Sequence, residues 1–160
     1  MIQPHPHIAR LFYLPLQQKL FSLSFTPIQT LSIGTIADLS LKHPNTFHPN
    51  PEFEKLLHST FKKYVHLDPS LQGLALSQKV GYMTLHDLRV FTPFGRVADP
   101  EDLLGSVLLD QGKIVPHSYD PMPTYRLLSS HGITELSDFM HEKLLQELNL
   151  LPSLSLSSAI

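Results

Sequence analysis

The stretch from Asn50 to Val65 constrains this fold more tightly than any other. Asn50 can cap a helix, Pro51 suits the first helical position, and Glu52 and Glu54 fall where the helix dipole favours carboxylates. Phe53, Leu56, Leu57, Phe61, Tyr64 and Val65 recur at spacings of three and four. That period puts them on one side of a helix, as an apolar stripe that a second layer must cover. Lys62 and Lys63 sit in the last turn, where cations are favoured.

His66-Leu67-Asp68-Pro69 ends this helix, because a residue before proline avoids helical backbone. Asp68 and Pro69 then repeat the cap-plus-proline device. They predict a second helix to about Gln78, with Leu71, Leu74 and Ala75 inward. Gly73 weakens it by up to ~1 kcal/mol relative to alanine. Residues 80–91 read two ways: Tyr82 to Leu85 suits a strand, whereas Asp87-Leu88-Arg89 could bend or coil. Thr92-Pro93-Phe94-Gly95 is a turn signal. Asp99-Pro100-Glu101-Asp102 predicts one or two helical turns, capped by Asp99 and stopped at Gly105. Ser106 to Asp110 and Lys113 to Val115 read as a hairpin, with Gln111-Gly112 supplying a tight turn. Prolines 116, 121 and 123 mark a loop, and Thr124 to Ser129 reads as a third strand. Leu136, Met140, Leu144 and Leu148, four apart, give a last amphipathic helix capped by Thr134 or Ser137.

Residues 1–37 contain no Asp or Glu, and their only charged side chains are Arg10 and Lys19. An acid-poor, Ser-rich, weakly basic start is the pattern of an organelle transit peptide. Scarce arginine and the interruptions at Pro4, Pro6 and Pro15 speak against it. The other readings are a poorly ordered tail or a leader that packs on the domain. His43-Pro44-Asn45 and His48-Pro49-Asn50-Pro51 mark a linker. The expected organisation is therefore an acid-free leader and linker over 1–49, one domain over 50–150, and a disordered tail over 151–160.

Composition narrows the function classes. Charged residues make up 16% of the 160-residue chain and the net charge is -2, which excludes a protein driven by nucleic-acid phosphate contacts. There is no cysteine, so disulfides, thiol nucleophiles and thiolate metal sites are excluded. No window approaches 18 uninterrupted apolar residues, so no membrane span is expected. Nucleophile-elbow, phosphate-loop and dinucleotide fingerprints are missing.

The candidate side chains for a site are few. Asp99, Glu101 and Asp102, with Arg96 just before them, could be metal ligands or a general acid/base pair, or simply a neutralised helix start. Ten histidines are present, yet none has metal-ligand spacing on a helix; His86-Asp87 and His117-x-Tyr119-Asp120 alone place a carboxylate near a histidine inside the domain. Tyr125 and Arg126 follow a proline-stiffened loop. Arg126 could grip a carboxylate or phosphate, or pair with Asp99, Glu101 or Asp102. No cofactor and no metal are expected.

The block Gly95-Arg96-Val97-Ala98-Asp99-Pro100-Glu101-Asp102-Leu103-Leu104-Gly105-Ser106-Val107, with Pro121-Met122-Pro123-Thr124-Tyr125-Arg126 and the last helix, resembles a group of small fungal proteins of no known activity. The resemblance spans roughly residues 50–148. It implies a fungal source and an intact domain, and it carries over no functional residue.

The expected fold is α+β: two N-terminal helices, a small antiparallel sheet of three or four strands, and a C-terminal amphipathic helix. Two functions follow. One is a non-catalytic protein-interaction or accessory module, cytoplasmic or mitochondrial, with a protein partner. The other is a small enzyme or ligand-binding protein whose site joins Arg96, Asp99, Glu101, His86, His117 and Arg126. The oligomeric state is not readable.

Overall fold

The computed structural model describes residues 1–27, 31–93 and 96–151. The expected turn at Phe94-Gly95 and the tail beyond Leu151 lie outside the described residues. Among the described residues there are three α-helices and three antiparallel sheets, and no helix long and apolar enough to cross a membrane.

The helices expected near Asn50 and Asp68 are present, but they are not N-terminal. A five-stranded meander precedes them: β1 (Gln3–Pro4), β2 (Phe12–Pro15), β3 (Phe21–Ser24), β4 (Gly34–Ile36) and β5 (His48–Pro49), paired in that order. No strand was expected here, so the sheet of three or four strands is an underestimate. Leu11, Leu23, Ile33 and Ile36 from this region are at most 1% exposed and join the same core cluster as Phe53 and Leu57. His5 also anchors it: Nδ1 accepts from the amides of His7 and Ile8, both at 3.1 Å, so Nε2 is left to donate to the Leu39 carbonyl at 2.8 Å.

Helix α1 (Pro51–Tyr64) is capped by Asn50, whose side chain accepts from the Glu52 amide. It buries Phe53, Leu57 and Phe61 against the core. Helix α2 (Pro69–Gln78) is capped by Asp68 and buries Ala75 alone, whereas Leu74 is exposed rather than inward. Helix α3 (Asp138–Leu150) takes Ser137 as its cap and buries Met140, Leu144 and Leu148.

A second sheet occupies the middle of the chain. Strand β6 (Gly81–His86) pairs with β7 (Leu103–Asp110), whose other edge carries β8 (Lys113–Ile114) and β9 (Asp120–Pro121). Gln111 (φ 51°) and Gly112 (φ 80°) both turn left-handed, as a two-residue hairpin turn requires. Gly105 permits close approach: a Cβ there would lie 2.4 Å from the Asp120 carbonyl oxygen.

Two local expectations fail for a shared reason. The helical turn at Pro100–Asp102 is only three residues long, has no side-chain cap from Asp99, and passes straight into β7. The apolar run that follows is buried as a central strand rather than as a helix reaching Gly105. Thr124 to Ser129 is not one strand either. Only β10 (Leu128–Ser129) pairs, with β11 (Gly132–Ile133), in a two-stranded ladder. The backbone groups of Tyr125, Arg126 and Leu127 are bonded to Met122, Glu101, Thr134 and one arginine side chain instead.

Leu23 tests whether the meander is part of the cooperative core. Leu23→Ala should lower stability by about 2–5 kcal/mol, the cost of a buried large-to-small change. Urea unfolding followed by two probes should remain a single transition. A loss below about 0.5 kcal/mol would detach residues 1–49 from the core.

Candidate functional site

The buried polar centre is built around Arg89, in the segment whose sequence is compatible with a bend or a coil. Its side chain is 3% exposed and lies between two buried carboxylates, with Nε 2.7 Å from Asp87 and 2.8 Å from Asp102. Nη1 donates to the carbonyls of Leu127 at 3.0 Å and Gly132 at 2.9 Å. Nη2 donates to the carbonyls of Glu101 at 3.0 Å and Arg126 at 2.7 Å. Each guanidinium nitrogen therefore has partners, the condition under which a buried cation is tolerated. The guanidinium also sits 5.2 Å from the Tyr125 ring centroid.

The carboxylates extend the knot in two directions. Asp87 accepts from the Tyr125 hydroxyl at 3.0 Å, and that hydroxyl also bonds Thr134. Burial pushes the Asp87 carboxyl up to about 6, against the pull of Arg89 and Tyr125. Burial likewise raises the Tyr125 hydroxyl well above its ordinary value, helped by the adjacent Asp87 charge. Asp102 accepts from Ser129 at 3.2 Å and from Nδ1 of His131 at 2.6 Å. Burial pushes Asp102 upward, but His131 and Arg89 together outweigh it and hold the carboxyl below its ordinary value.

One ligand atom each from Asp99, Asp102 and His131 lie within 4.8 Å of one another. Asp99 stays exposed, with an oxygen 3.7 Å from Nε2 of His131. The donor set resembles a cation cage, yet both Asp102 oxygens are already engaged, one of them by the Arg89 cation. A metal would compete with that guanidinium and displace the His131 proton. The chemistry of the cluster favours an internal ion-pair network over metal binding.

The eight side chains singled out from sequence fall into separate places. Asp102 and Tyr125 belong to the Arg89 knot, and Asp99 borders it. Glu101 contributes its backbone carbonyl. Arg126 likewise contributes backbone groups, and among the described residues its exposed side chain has no ion pair. Arg96 and His86 line a groove of about 280 Å³ beside β6, with Leu74, Met83 and Val97. His117 is exposed, its ring 6.1 Å from that of His66. Arg96, His86 and His117 do not meet the acidic cluster. Arg89 and His131 were missed, and Asp87 was noted only as the carboxylate beside His86. Only the arginine's place between two acids in sequence hinted at its role, and that hint requires the fold to interpret.

Other surface features are apolar. Leu76, Val80, Tyr82 and Val97 are each 63–71% exposed, and β6 is an edge strand. A larger groove of about 810 Å³ opens between α2, β6, the start of α3 and residues 7–10. Compared with known proteins, the chain matches no family model, no curated protein and no solved structure.

Asp87 gives a signed pH dependence. With its carboxyl raised above the unfolded value near 3.9, the folded state binds the extra proton between about pH 4 and 6. The Asp87 contribution to stability therefore grows as pH falls through this window. His58 and His141, both held below their ordinary values by burial, act in the opposite sense. Asp87→Asn isolates the effect. The stability of wild type minus that of the variant should rise from pH 7 to pH 4.5 in urea titrations, and a flat or falling difference would contradict the assignment.

Proposed function

We propose that this protein is a non-catalytic protein-interaction module that binds by adding a partner's strand to β6. The observation that carries the reading is the free edge of β6. Leu108 of β7 bonds outward to Val115 and Ser118, and Leu104 accepts from Met122. Even-numbered residues of β7 thus face β8 and β9. Tyr82 and Thr84, opposite Leu108 and Ser106, must point their backbone groups away from β7. Gln78 Nε2 satisfies the Val80 and Tyr82 carbonyls, at 3.2 and 3.0 Å. Among the described residues, the amides of Tyr82 and Thr84 and the Thr84 carbonyl have no such partner. Exposed Val80, Tyr82 and Val97 fringe this edge, which is how a strand-addition site combines backbone bonds with side-chain pockets.

The catalytic alternative loses support because His117 and Arg126 lie apart from the groove that Arg96 and His86 share, and the acidic cluster does not reach that groove. Of the two compartments expected, the cytoplasm fits better. Excising residues 1–37 as a transit peptide would strip Leu11, Leu23, Ile33 and Ile36 from the core.

Thr84→Pro removes one outward amide from an edge strand, where proline is tolerated. Capture of partners from a native extract, with a photo-crosslinker at Tyr82, should lose its crosslinked species in the variant while the melting temperature stays within a few degrees. Crosslinks that persist in a folded Thr84→Pro variant would refute strand addition.

A further inference from the structure

The groove of about 280 Å³ beside β6 carries charge of one sign. Among the described residues that line it, Arg96 is the one cation and there is no carboxylate. Among the described residues, neither the exposed Arg96 side chain nor the Thr84 and Thr92 hydroxyls have a hydrogen-bond or ion-pair partner. The Arg96 backbone is anchored, its amide donating to the Pro93 carbonyl at 3.1 Å. Asp99, three residues on, has an oxygen 3.7 Å from Nε2 of His131 and is not paired with Arg96. An unpaired cation in a groove without acids favours an anionic group brought by a partner.

The rest of the lining says what carries that anion. Leu74 and Gln78 come from α2, Met83, Thr84 and His86 from β6, and Thr92, Pro93 and Val97 from the segment that follows. Thr84 points its backbone groups away from β7 and lines this groove, so a strand bonded to Thr84 lies beside Arg96. Nδ1 of His86 donates to the Asp87 carbonyl at 2.7 Å, which leaves the neutral ring no donor for an anion. One guanidinium without a second cation suits a singly charged carboxylate better than a phosphate dianion. The larger groove shares Leu74, Thr84 and His86 but contains Glu135, and its Arg10 is paired with Asp138. Charge thus changes sign along the edge, and a partner's acid belongs at the Arg96 end.

We propose that the strand added to β6 is acidic: an extended peptide segment that sets an apolar side chain on Leu74, Met83 and Val97 and an Asp or Glu carboxylate against Arg96. The inference rests on the strand-addition reading and names the chemistry of the partner. Backbone bonds to β6 supply the docking, and the Arg96 pair selects among the strands that dock.

The test is selection of a random 12-residue peptide library displayed on phage against the full chain, with enriched peptides remeasured by fluorescence anisotropy. Enriched peptides should carry Asp or Glu at a common position, and Lys there should weaken binding at least tenfold. Arg96→Glu should weaken the acidic peptides at least tenfold and bind their Lys versions better than wild type does, with the melting temperature within a few degrees. Thr84→Pro should abolish binding of both. Peptides that need the Thr84 amide but are indifferent to their own charge or to Arg96→Glu would overturn the acidic partner and leave strand addition standing. Binding unaffected by Thr84→Pro, or no enrichment at all, would overturn both.

Discussion

One buried guanidinium ties the centre of this molecule together. Arg89 reaches the turn before β7 through Glu101 and Asp102, the loop before β10 through Arg126 and Leu127, and the turn into β11 through Gly132. None of these segments forms a long helix or sheet of its own, and the guanidinium adds donors to their carbonyls, those of Glu101 and Leu127 also accepting from the amides of Arg126 and Thr134. The fork of Arg89 substitutes for a sheet ladder. This is why Thr124 to Ser129 does not become the third strand that its composition suggests.

The same constraint accounts for the behaviour of the acids. Asp87 and Asp102 flank one cation in a nearly dry site, so their environments push the two carboxyls apart: Asp87 upward, Asp102 downward. Divergent carboxyl affinities often mark an acid/base pair. Here both groups are consumed in holding Arg89, Tyr125 and His131.

The legible parts of the fold were those specified locally. Asn50, Pro51 and the apolar stripe of α1 signal a helix within fifteen residues of chain. Gln111-Gly112 likewise announces its hairpin, and Ser137 its helix. The alternation of exposed Tyr82 and Thr84 with buried Met83 and Leu85 is a readable strand pattern. The meander over residues 3–49 was illegible because its strands are two to four residues long and do not alternate cleanly. Prolines at their ends read as breakers, and burial against α1 is a long-range effect. The site was less legible still. Arg96 drew attention by lying beside the acidic cluster in sequence and Arg126 by following a proline-stiffened loop, whereas Arg89 reaches the cluster across 13 residues and Gly132 across 43.

The central claim is that the fork geometry of Arg89, and not merely its charge, organises the middle of the protein. Arg89→Lys keeps the cation but can reach only some of the six partners, leaving the others without their charged donor. Equilibrium urea unfolding at pH 7 should show a loss of about 3 kcal/mol, within the range for breaking a buried ion network. A change of less than about 0.5 kcal/mol, the size expected at an indifferent surface position, would contradict the account.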